Sequence, residues 1–306
     1  MNKIKSAKYY YNVIPVIRLP LLIRKNFTYY SLRPLDPGSL VQVEFRSRKI
    51  HAIITERIKK NKPQKFKFKK ISKMIYPGLF TQKQLDITDQ IAGYYFVSRP
   101  TILNLTWGNK KAFVKSNSQY IKAQGKFKIK KKQISLIKKV LRKIENKKQV
   151  LLIEKDRINI YLYLISKILG EKKQVLFLVP DLFLIDLYFQ KFSQIFGSQK
   201  ISVLNKKKNP KGFFVELLQI RENKKSLIIG TRSAVLANFN NLGLIIIDEA
   251  QDHSFKQWDQ NPRYCAKKIA KILADNLNIQ LILGTNSPSV CDYHKFQKNK
   301  AIIKSK

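Results

Sequence analysis

The second half of the sequence repeats one pattern, a short apolar run followed by an amphipathic stretch typical of a helix. The apolar runs occupy residues 149–153, 174–179, 201–204, 226–230, 242–248 and 279–284. Near-continuous apolar strands that alternate with helices predict a parallel sheet covered on both faces. Because ligands of such α/β sheets bind at the carboxyl ends of the strands, functional residues are expected there.

Polar motifs follow four of these predicted strands. They are Val179-Pro180-Asp181, Gly230-Thr231-Arg232-Ser233-Ala234, Asp248-Glu249-Ala250-Gln251-Asp252 and Gly284-Thr285-Asn286-Ser287-Pro288-Ser289. Each motif alone is also explained by an ordinary strand end with a helix cap. Two acids directly after a buried strand, however, are typical of a carboxylate that holds the magnesium ion of a nucleotide.

Residues 1–105 have a different pattern and are predicted to form a separate domain. Short β-type runs fill its first half, and Pro37-Gly38 marks a turn between two of them. A helix is predicted over 81–96, with Thr81 as its cap and an apolar face that includes Tyr94. We therefore expect a small β-barrel or sheet with a helix appended. Residues 106–132 read as a basic linker, and a second domain is predicted over 133–306.

The charge of the chain favours polyanionic partners. Lys and Arg number 61 against 19 Asp and Glu, which gives a net charge of +42. Nucleic acid and an anionic membrane surface both fit such a charge, and compositional drift is a third explanation. Apolar runs are too short to cross a membrane, and the N-terminal stretch lacks a signal-peptide core. We expect a cytoplasmic location and no membrane partner.

Two cysteines, Cys265 and Cys291, have neither metal-ligand spacing nor a disulfide pattern. No metal site is therefore predicted from them.

The longer motifs resemble one family. Residues 228–257 and 262–270 read IIGTRSAVLANFNNLGLIIIDEAQDHSFKQ and PRYCAKKIA, and residues 27–55 read FTYYSLRPLDPGSLVQVEFRSRKIHAIIT. The order of the strand-end motifs resembles the first motor lobe of superfamily 2 helicases. The motifs themselves resemble the primosomal protein N′ family of replication-restart DNA helicases. The resemblance implies a 3′-DNA-binding domain followed by a RecA-like helicase lobe.

The resemblance also implies roles for residues of the helicase lobe. Asp248 would coordinate magnesium and Glu249 would polarise the attacking water, while Thr231 and Arg232 would contact the DNA backbone. The segment 255–264 corresponds to an aromatic-rich loop of the family. Its aromatic and basic side chains suit base stacking beside phosphate contacts, with helix packing as the alternative. They are Phe255, Lys256, Trp258, Arg263 and Tyr264.

In the N-terminal domain the resemblance implies a pocket for the 3′-terminal nucleotide. Its candidate residues are Phe27, Thr28, Tyr29, Gly38, Arg48 and Lys49. Gly38 is predicted to let the backbone approach the sugar closely.

The lobe departs from the family where the phosphates of ATP would bind. After the strand 149–153 the family has a glycine-rich phosphate loop with a lysine, whereas here the chain reads Glu154-Lys155-Asp156-Arg157-Ile158-Asn159. Ala250-Gln251 replaces the family's Glu-His, and no second motor lobe is recognised. ATP and magnesium are the family's cofactors, but none is predicted for this chain.

Three hypotheses remain from the sequence. The first is a replication-restart factor that binds forked, 3′-ended or single-stranded DNA without its own ATPase. The second is an active ATP-dependent 3′-5′ helicase subunit that is completed by a partner carrying the second lobe. The third is a scaffold that binds any polyanion. Other replication-restart proteins are further candidate partners.

Overall fold

A computed structural model describes residues 7–20, 26–59, 68–107, 142, 148–204, 212–299 and 301–304. The chain divides into two compact units, residues 1–111 and 112–306, and each is described by itself below. Almost all of the predicted linker lies outside the described residues.

The first unit is built on a six-stranded, mostly antiparallel sheet. Its strands are β1 (Tyr9–Pro15), β2 (Phe27–Ser31), β3 (Leu40–Phe45), β4 (Arg48–Ile58), β5 (Lys69–Lys70) and β6 (Lys73–Tyr76). Their order is β5-β2-β1-β4-β3-β6. The side chains that alternate inward along β1, β3 and β4 form one apolar core, including Val13, Val43 and Ile54.

This sheet curls strongly, so that β2 approaches β3 although two strands separate them in the order. The hydroxyl of Tyr29 donates to the carbonyl of Glu44 at 2.8 Å. Lys69 on β5 pairs with the carboxylate of Glu44 at 2.7 Å. Of the two predicted forms, a small barrel or a sheet, the strand order shows a curled sheet.

Two helices complete the unit, α1 (Gln82–Tyr94) and α2 (Arg99–Trp107). Thr81 caps α1 as predicted, in a reciprocal capping box with Gln84. Tyr94 is half-exposed, so its predicted place on the apolar face is wrong. Helix α2 was not predicted, and it runs past residue 105, the predicted end of this domain.

The second unit contains a seven-stranded sheet in which every described pairing is parallel. Its strands are β7 (Gln149–Ile153), β8 (Gln174–Leu178), β9 (Ile201–Leu204), β10 (Leu227–Gly230), β11 (Leu242–Ile247), β12 (Gln280–Thr285) and β13 (Ile302–Lys304). Their order is β13-β7-β12-β11-β8-β10-β9. Strands β7 to β12 are the six predicted strands, and β13 was not predicted. The predicted α/β class with a parallel sheet in the second unit is confirmed.

The strands of this sheet are buried along almost their whole length because helices cover them. They are α3 (Ile158–Gly170), α4 (Leu182–Phe196), α5 (Gly212–Arg221), α6 (Ala266–Leu277) and α7 (Val290–Lys298). Apolar side chains of α3 and α4, such as Ile165 and Phe192, join strand residues in one core cluster. Within the described residues, no helix is long and apolar enough to span a membrane.

Gly38 provides a test of the first unit's packing. A Cβ at Gly38 would lie 1.8 Å from the carbonyl oxygen of Phe80, and its φ is +80°. Gly78 also has a positive φ, +53°, but a Cβ there meets nothing within 4 Å. We predict that Gly78→Ala costs about 1–2 kcal/mol for the left-handed backbone alone. Gly38→Ala should cost about 2 kcal/mol more, because it also overpacks the site.

Urea unfolding followed by the fluorescence of Trp107 measures this difference. Trp107 is buried, and its ring packs on Phe80 with centroids 5.8 Å apart. Equal costs for the two substitutions would contradict the packing described for Gly38.

Candidate functional sites

The carboxyl ends of three neighbouring strands meet at one place in the second unit. In the sheet β12 lies between β7 and β11. Glu154 follows β7, Asp248 and Glu249 follow β11, and Asn286 follows β12. The predicted acids therefore stand where ligands of α/β sheets bind.

The guanidinium of Arg157 fills the space between these strand ends. Its Nε donates to Oδ1 of Asp248 at 2.9 Å, and its Nη2 donates to Oε1 of Glu249. Its Nη1 donates to the carbonyl of Glu154 and to Oδ1 of Asn286, both at 2.5 Å. Arg157 is only 5% exposed and Asp248 only 2%. One side chain thus ties the three strand ends together.

Arg157 immediately precedes helix α3 and occupies its N-cap position. The N-terminus of a helix carries partial positive charge and normally favours anions such as phosphate. A buried cation there is unfavourable unless carboxylates compensate for it. Asp248 and Glu249 supply that compensation, so removal of any one of the three charges would leave the others unbalanced.

Two tyrosines complete the coordination of Asp248. Tyr161 donates its hydroxyl to Oδ1 at 2.8 Å, and Tyr188 donates to Oδ2 at 2.5 Å. Both oxygens of this buried carboxylate therefore have donors, as buried charges require. Tyr161 reaches Asp248 across Gly284, where a Cβ would lie 1.6 Å from the Tyr161 hydroxyl oxygen. Any larger residue at 284 would push this ring away.

The pKa values of the network follow from burial and charge. Burial works to lower the pKa of Arg157, but Tyr161, Asp248 and Glu249 outweigh it, so the pKa is raised above its ordinary value. Burial, reinforced by the charge of Asp248, raises the pKa of both Tyr161 and Tyr188. The arginine therefore stays charged and both tyrosines stay protonated.

A second chain of hydrogen bonds links Glu249 to the end of β12. Gln251 donates to Oε2 of Glu249 at 2.7 Å and accepts from the Thr285 hydroxyl at 2.5 Å. The backbone N–H of Ala250 donates to the carbonyl of Gly284 at 2.9 Å. Glu249 itself has a positive φ of 49°, a conformation that is rare outside glycine. These contacts hold both acids in place.

The two predicted catalytic acids are thus brought together, but as partners of an arginine that was not predicted. Neither carboxylate is free to take a metal ion while Arg157 is in place. Within the described part of the chain, no group of three or more His, Cys, Asp or Glu residues is arranged to hold a metal ion. The residues present therefore do not fit magnesium-bound ATP.

Thr231 and Arg232 follow β10 as predicted, at the start of a 3-10 turn over Arg232–Leu236. The guanidinium of Arg232 donates to the Gln257 side chain at 2.6 Å and to the carbonyl of Ser254 at 3.1 Å. In this structure Arg232 therefore fastens the loop after β11. Its predicted contact with a DNA backbone remains a prediction, as does that of Thr231.

The aromatic-rich loop divides into buried and exposed residues. Phe255 and Tyr264 are buried, so the packing alternative applies to them and base stacking by their rings is excluded in this conformation. Trp258 is 60% exposed, and Lys256 Nζ lies 5.8 Å from its ring centroid. Arg263 is also exposed. Lys256, Trp258 and Arg263 therefore remain the candidate DNA contacts of this loop.

A basic pocket forms in the first unit at the β3–β4 hairpin. It has a volume of about 550 Å³ and is lined by Ile17, Phe45, Arg46, Arg48, Lys49 and Ile50. Phe27 packs edge-on against Phe45, with ring centroids 5.0 Å apart. The structure thus brings three predicted residues, Phe27, Arg48 and Lys49, to one place. Phe45 and Arg46 were missed, although they stand next to the predicted basic pair.

The other three predicted residues of this unit have structural partners. Thr28 donates to Asn12 Oδ1 at 3.0 Å, and Tyr29 is buried with its hydroxyl bonded to Glu44. Gly38 precedes β3, at the end of the hairpin opposite Arg48. The space in front of Gly38 is filled by the backbone of Phe80. The close contact that the structure shows at Gly38 is within the protein, and its predicted approach to a DNA sugar stays a prediction.

Comparison with known families agrees with this division. A family model described as the 3′DNA-binding domain of PriA matches residues 16–107. A model for DEAD/DEAH box helicases matches residues 158–294. PriA is the other name of primosomal protein N′, so the predicted resemblance is confirmed in both units.

Individual relatives carry the same name. Replication restart protein PriA of Helicobacter pylori strain J99 is 28% identical over 285 residues, which cover 91% of this chain and 43% of the relative. The Bacillus subtilis and Haemophilus influenzae proteins of that name are 36% and 38% identical over 139 and 141 residues. Those segments cover 45% and 46% of this chain, and 17% and 19% of the relatives. The chain spans less than half the length of these relatives.

Among solved structures, RecG bound to a three-way DNA junction aligns with 59% of this chain and 24% of its own, at a TM-score of 0.42 and 15% identity. The Pyrococcus furiosus Hef helicase domain aligns with 57% of this chain and 38% of its own, at a TM-score of 0.42 and 16% identity.

The tyrosines of the network make the stability of the protein depend on pH in the alkaline range. Because the folded pKa of Tyr188 is raised, the unfolded chain loses this proton near pH 10 while the folded chain keeps it. The contribution of each such tyrosine to the free energy of unfolding is therefore fully present below about pH 10. Above that pH it falls by about 1.4 kcal/mol per pH unit. We predict a shallower fall in Tyr188→Phe. Urea unfolding between about pH 9 and pH 11 measures the slope.

Tyr163→Phe is the matched control, because Tyr163 is a partly exposed tyrosine on α3. Its slope should equal that of the unaltered chain. The same slope in all three proteins would contradict the hydrogen bond from Tyr188 to Asp248.

Proposed function

We propose that this chain, a PriA-like protein with an N-terminal 3′ DNA-binding domain and a partial helicase region, is a replication-restart factor that binds DNA at 3′ ends or forks. We further propose that it does so without hydrolysing ATP.

The basic hairpin pocket is the observation that supports DNA binding. It combines three cations with an aromatic ring, and none of its lining residues is acidic. Lysine and arginine neutralise phosphates, while an aromatic face stacks on a base without regard to sequence. A volume of about 550 Å³ lies within the range of small-ligand pockets. The pocket therefore suits one 3′-terminal nucleotide together with the phosphate that links it to the preceding nucleotide.

A fork or 3′ end is favoured over other polyanions by the family of the first unit. The matched model is that of a 3′DNA-binding domain, and the relatives are replication restart proteins. A scaffold for any polyanion would need only the charge and not a built pocket. Other replication-restart proteins stay candidate partners of the complex with DNA.

The buried arginine supports the absence of ATPase activity. Phosphoryl transfer depends on a magnesium ion and on donors that cradle the phosphates. Here Asp248 and Glu249 already bind Arg157, and the backbone before α3 presents Glu154 and Asp156 rather than a glycine-rich loop. Two further negative charges would repel a triphosphate.

Recognition of a 3′ end predicts a preference that charge alone does not produce. We expect the chain to bind a fork with a free 3′-hydroxyl about tenfold more tightly than the same fork with a 3′-phosphate, a difference of about 1.4 kcal/mol. Fluorescence anisotropy with the two forks at one salt concentration measures the ratio. Equal affinities would remove the end-recognition proposal and leave non-specific binding.

Two lysine variants locate the contact. Lys49 lines the pocket, whereas Lys83 is exposed on α1 and does not line it. Each substitution by Gln removes one positive charge. Only Lys49→Gln should lower the slope of log K against log salt, by about 0.9 if it neutralises one phosphate. If Lys83→Gln has the same effect, the pocket is not the contact.

The second part of the proposal predicts that purified protein releases no phosphate from ATP, with or without forked DNA. A Glu249→Gln variant prepared in the same way gives the background, since it keeps Asp248 paired with Arg157. Turnover by the parent that disappears in the variant would show an active motor and favour the subunit completed by a second lobe.

A further inference from the structure

We infer that Arg157 is a built-in substitute for a divalent cation, and that removing its side chain opens a site for a hard divalent ion such as Mg²⁺. The inference rests on the proposed absence of ATP use. It identifies the positive charge that fills the space between the strand ends when no nucleotide is bound there.

Four oxygen atoms converge on the guanidinium. They are Oδ1 of Asp248, Oε1 of Glu249, the carbonyl of Glu154 and Oδ1 of Asn286. Carboxylate, backbone carbonyl and amide oxygens are the ligands that Ca²⁺ and Mg²⁺ take in proteins. A pocket of this composition suits a guanidinium or a divalent metal ion. Here the cation is covalently part of the chain.

The charge balance shows why the pocket needs an occupant. Asp248 is almost wholly buried, and Glu249 is 28% exposed. A buried carboxylate without a compensating cation is strongly destabilising. The hydroxyls of Tyr161 and Tyr188 are neutral donors and cannot supply that charge. Arg157 is the cation that bonds both carboxylates.

The pocket is held by contacts that do not involve Arg157. The N–H of Glu154 donates to the carbonyl of Thr285 at 3.2 Å. Gln251 bridges Glu249 and Thr285, and the tyrosines hold Asp248. The oxygens should therefore stay close together when the guanidinium is removed. An ion with only two carboxylate ligands is expected to bind at about millimolar concentration.

Thermal unfolding of the full chain and of Arg157→Gln tests this inference. The variant should unfold about 10 °C lower than the parent, because a buried ion pair is broken. About 10 mM MgCl₂, compared with NaCl of the same ionic strength, should raise its Tm by about 4 °C. The parent should show no specific response, since its pocket is filled.

Arg232→Gln is the matched control. Arg232 is also a partly buried arginine with two hydrogen bonds, but its acceptors are neutral. This variant should lose stability without being rescued by Mg²⁺. If Arg157→Gln does not fold in NaCl alone, refolding of the variant in about 10 mM MgCl₂ is the rescue that is measured.

The results separate this inference from the proposed function. No rescue of the Arg157 variant, or equal rescue of the Arg232 variant, would overturn the built-in cation. Unchanged stability in Arg157→Gln would overturn it as well. Turnover of ATP by the parent would instead overturn the proposed function, whatever the rescue experiment shows. Rescue confined to the Arg157 variant supports the inference.

Discussion

The candidate site of the second unit depends on the buried contact between the guanidinium of Arg157 and the carboxylates of Asp248 and Glu249. This contact joins the carboxyl ends of β7, β11 and β12 through charged hydrogen bonds at a nearly solvent-free position. The cost of burying three charges is offset only while all three are present. A magnesium ion on these two carboxylates would have to displace the guanidinium. The lobe keeps its parallel sheet while its strand ends are bonded to one another, and this is the basis of the proposal that the chain binds DNA without using ATP.

The first unit shows a different use of the same basic composition. The net charge of +42 attracts any polyanion, whatever the position of the individual lysines. At the β3–β4 hairpin, in contrast, cations and an aromatic ring surround one pocket, and Phe27 comes from another strand to support that ring. The curl of the sheet, fixed by Tyr29 and Lys69 on Glu44, makes this approach possible. The proposed DNA pocket thus depends on the tertiary shape of a small sheet.

The sequence was sufficient for the parts of the structure that depend on local pattern. Six strands of the second unit follow from apolar runs, and the cap of α1 follows from Thr81 and Gln84. Arg157 was not predicted because its partners are about 90 residues away, and pairing at that separation requires the strand order β7-β12-β11. Gly38 was assigned to DNA through the family resemblance, and its contact with the backbone of Phe80 could not be predicted because the two residues are distant in the sequence. Phe255 and Tyr264 were ambiguous, since an aromatic residue in a loop has the same letter code whether it packs or stacks.

The most direct test of this account is a crystal structure of the full chain grown with magnesium and a non-hydrolysable ATP analogue. The account predicts that the guanidinium of Arg157 remains bonded to Asp248 and Glu249, with Tyr161 and Tyr188 on the buried carboxylate and no nucleotide before α3. Electron density for magnesium on Asp248, with phosphates at the N-terminus of α3 and Arg157 turned away, would contradict it.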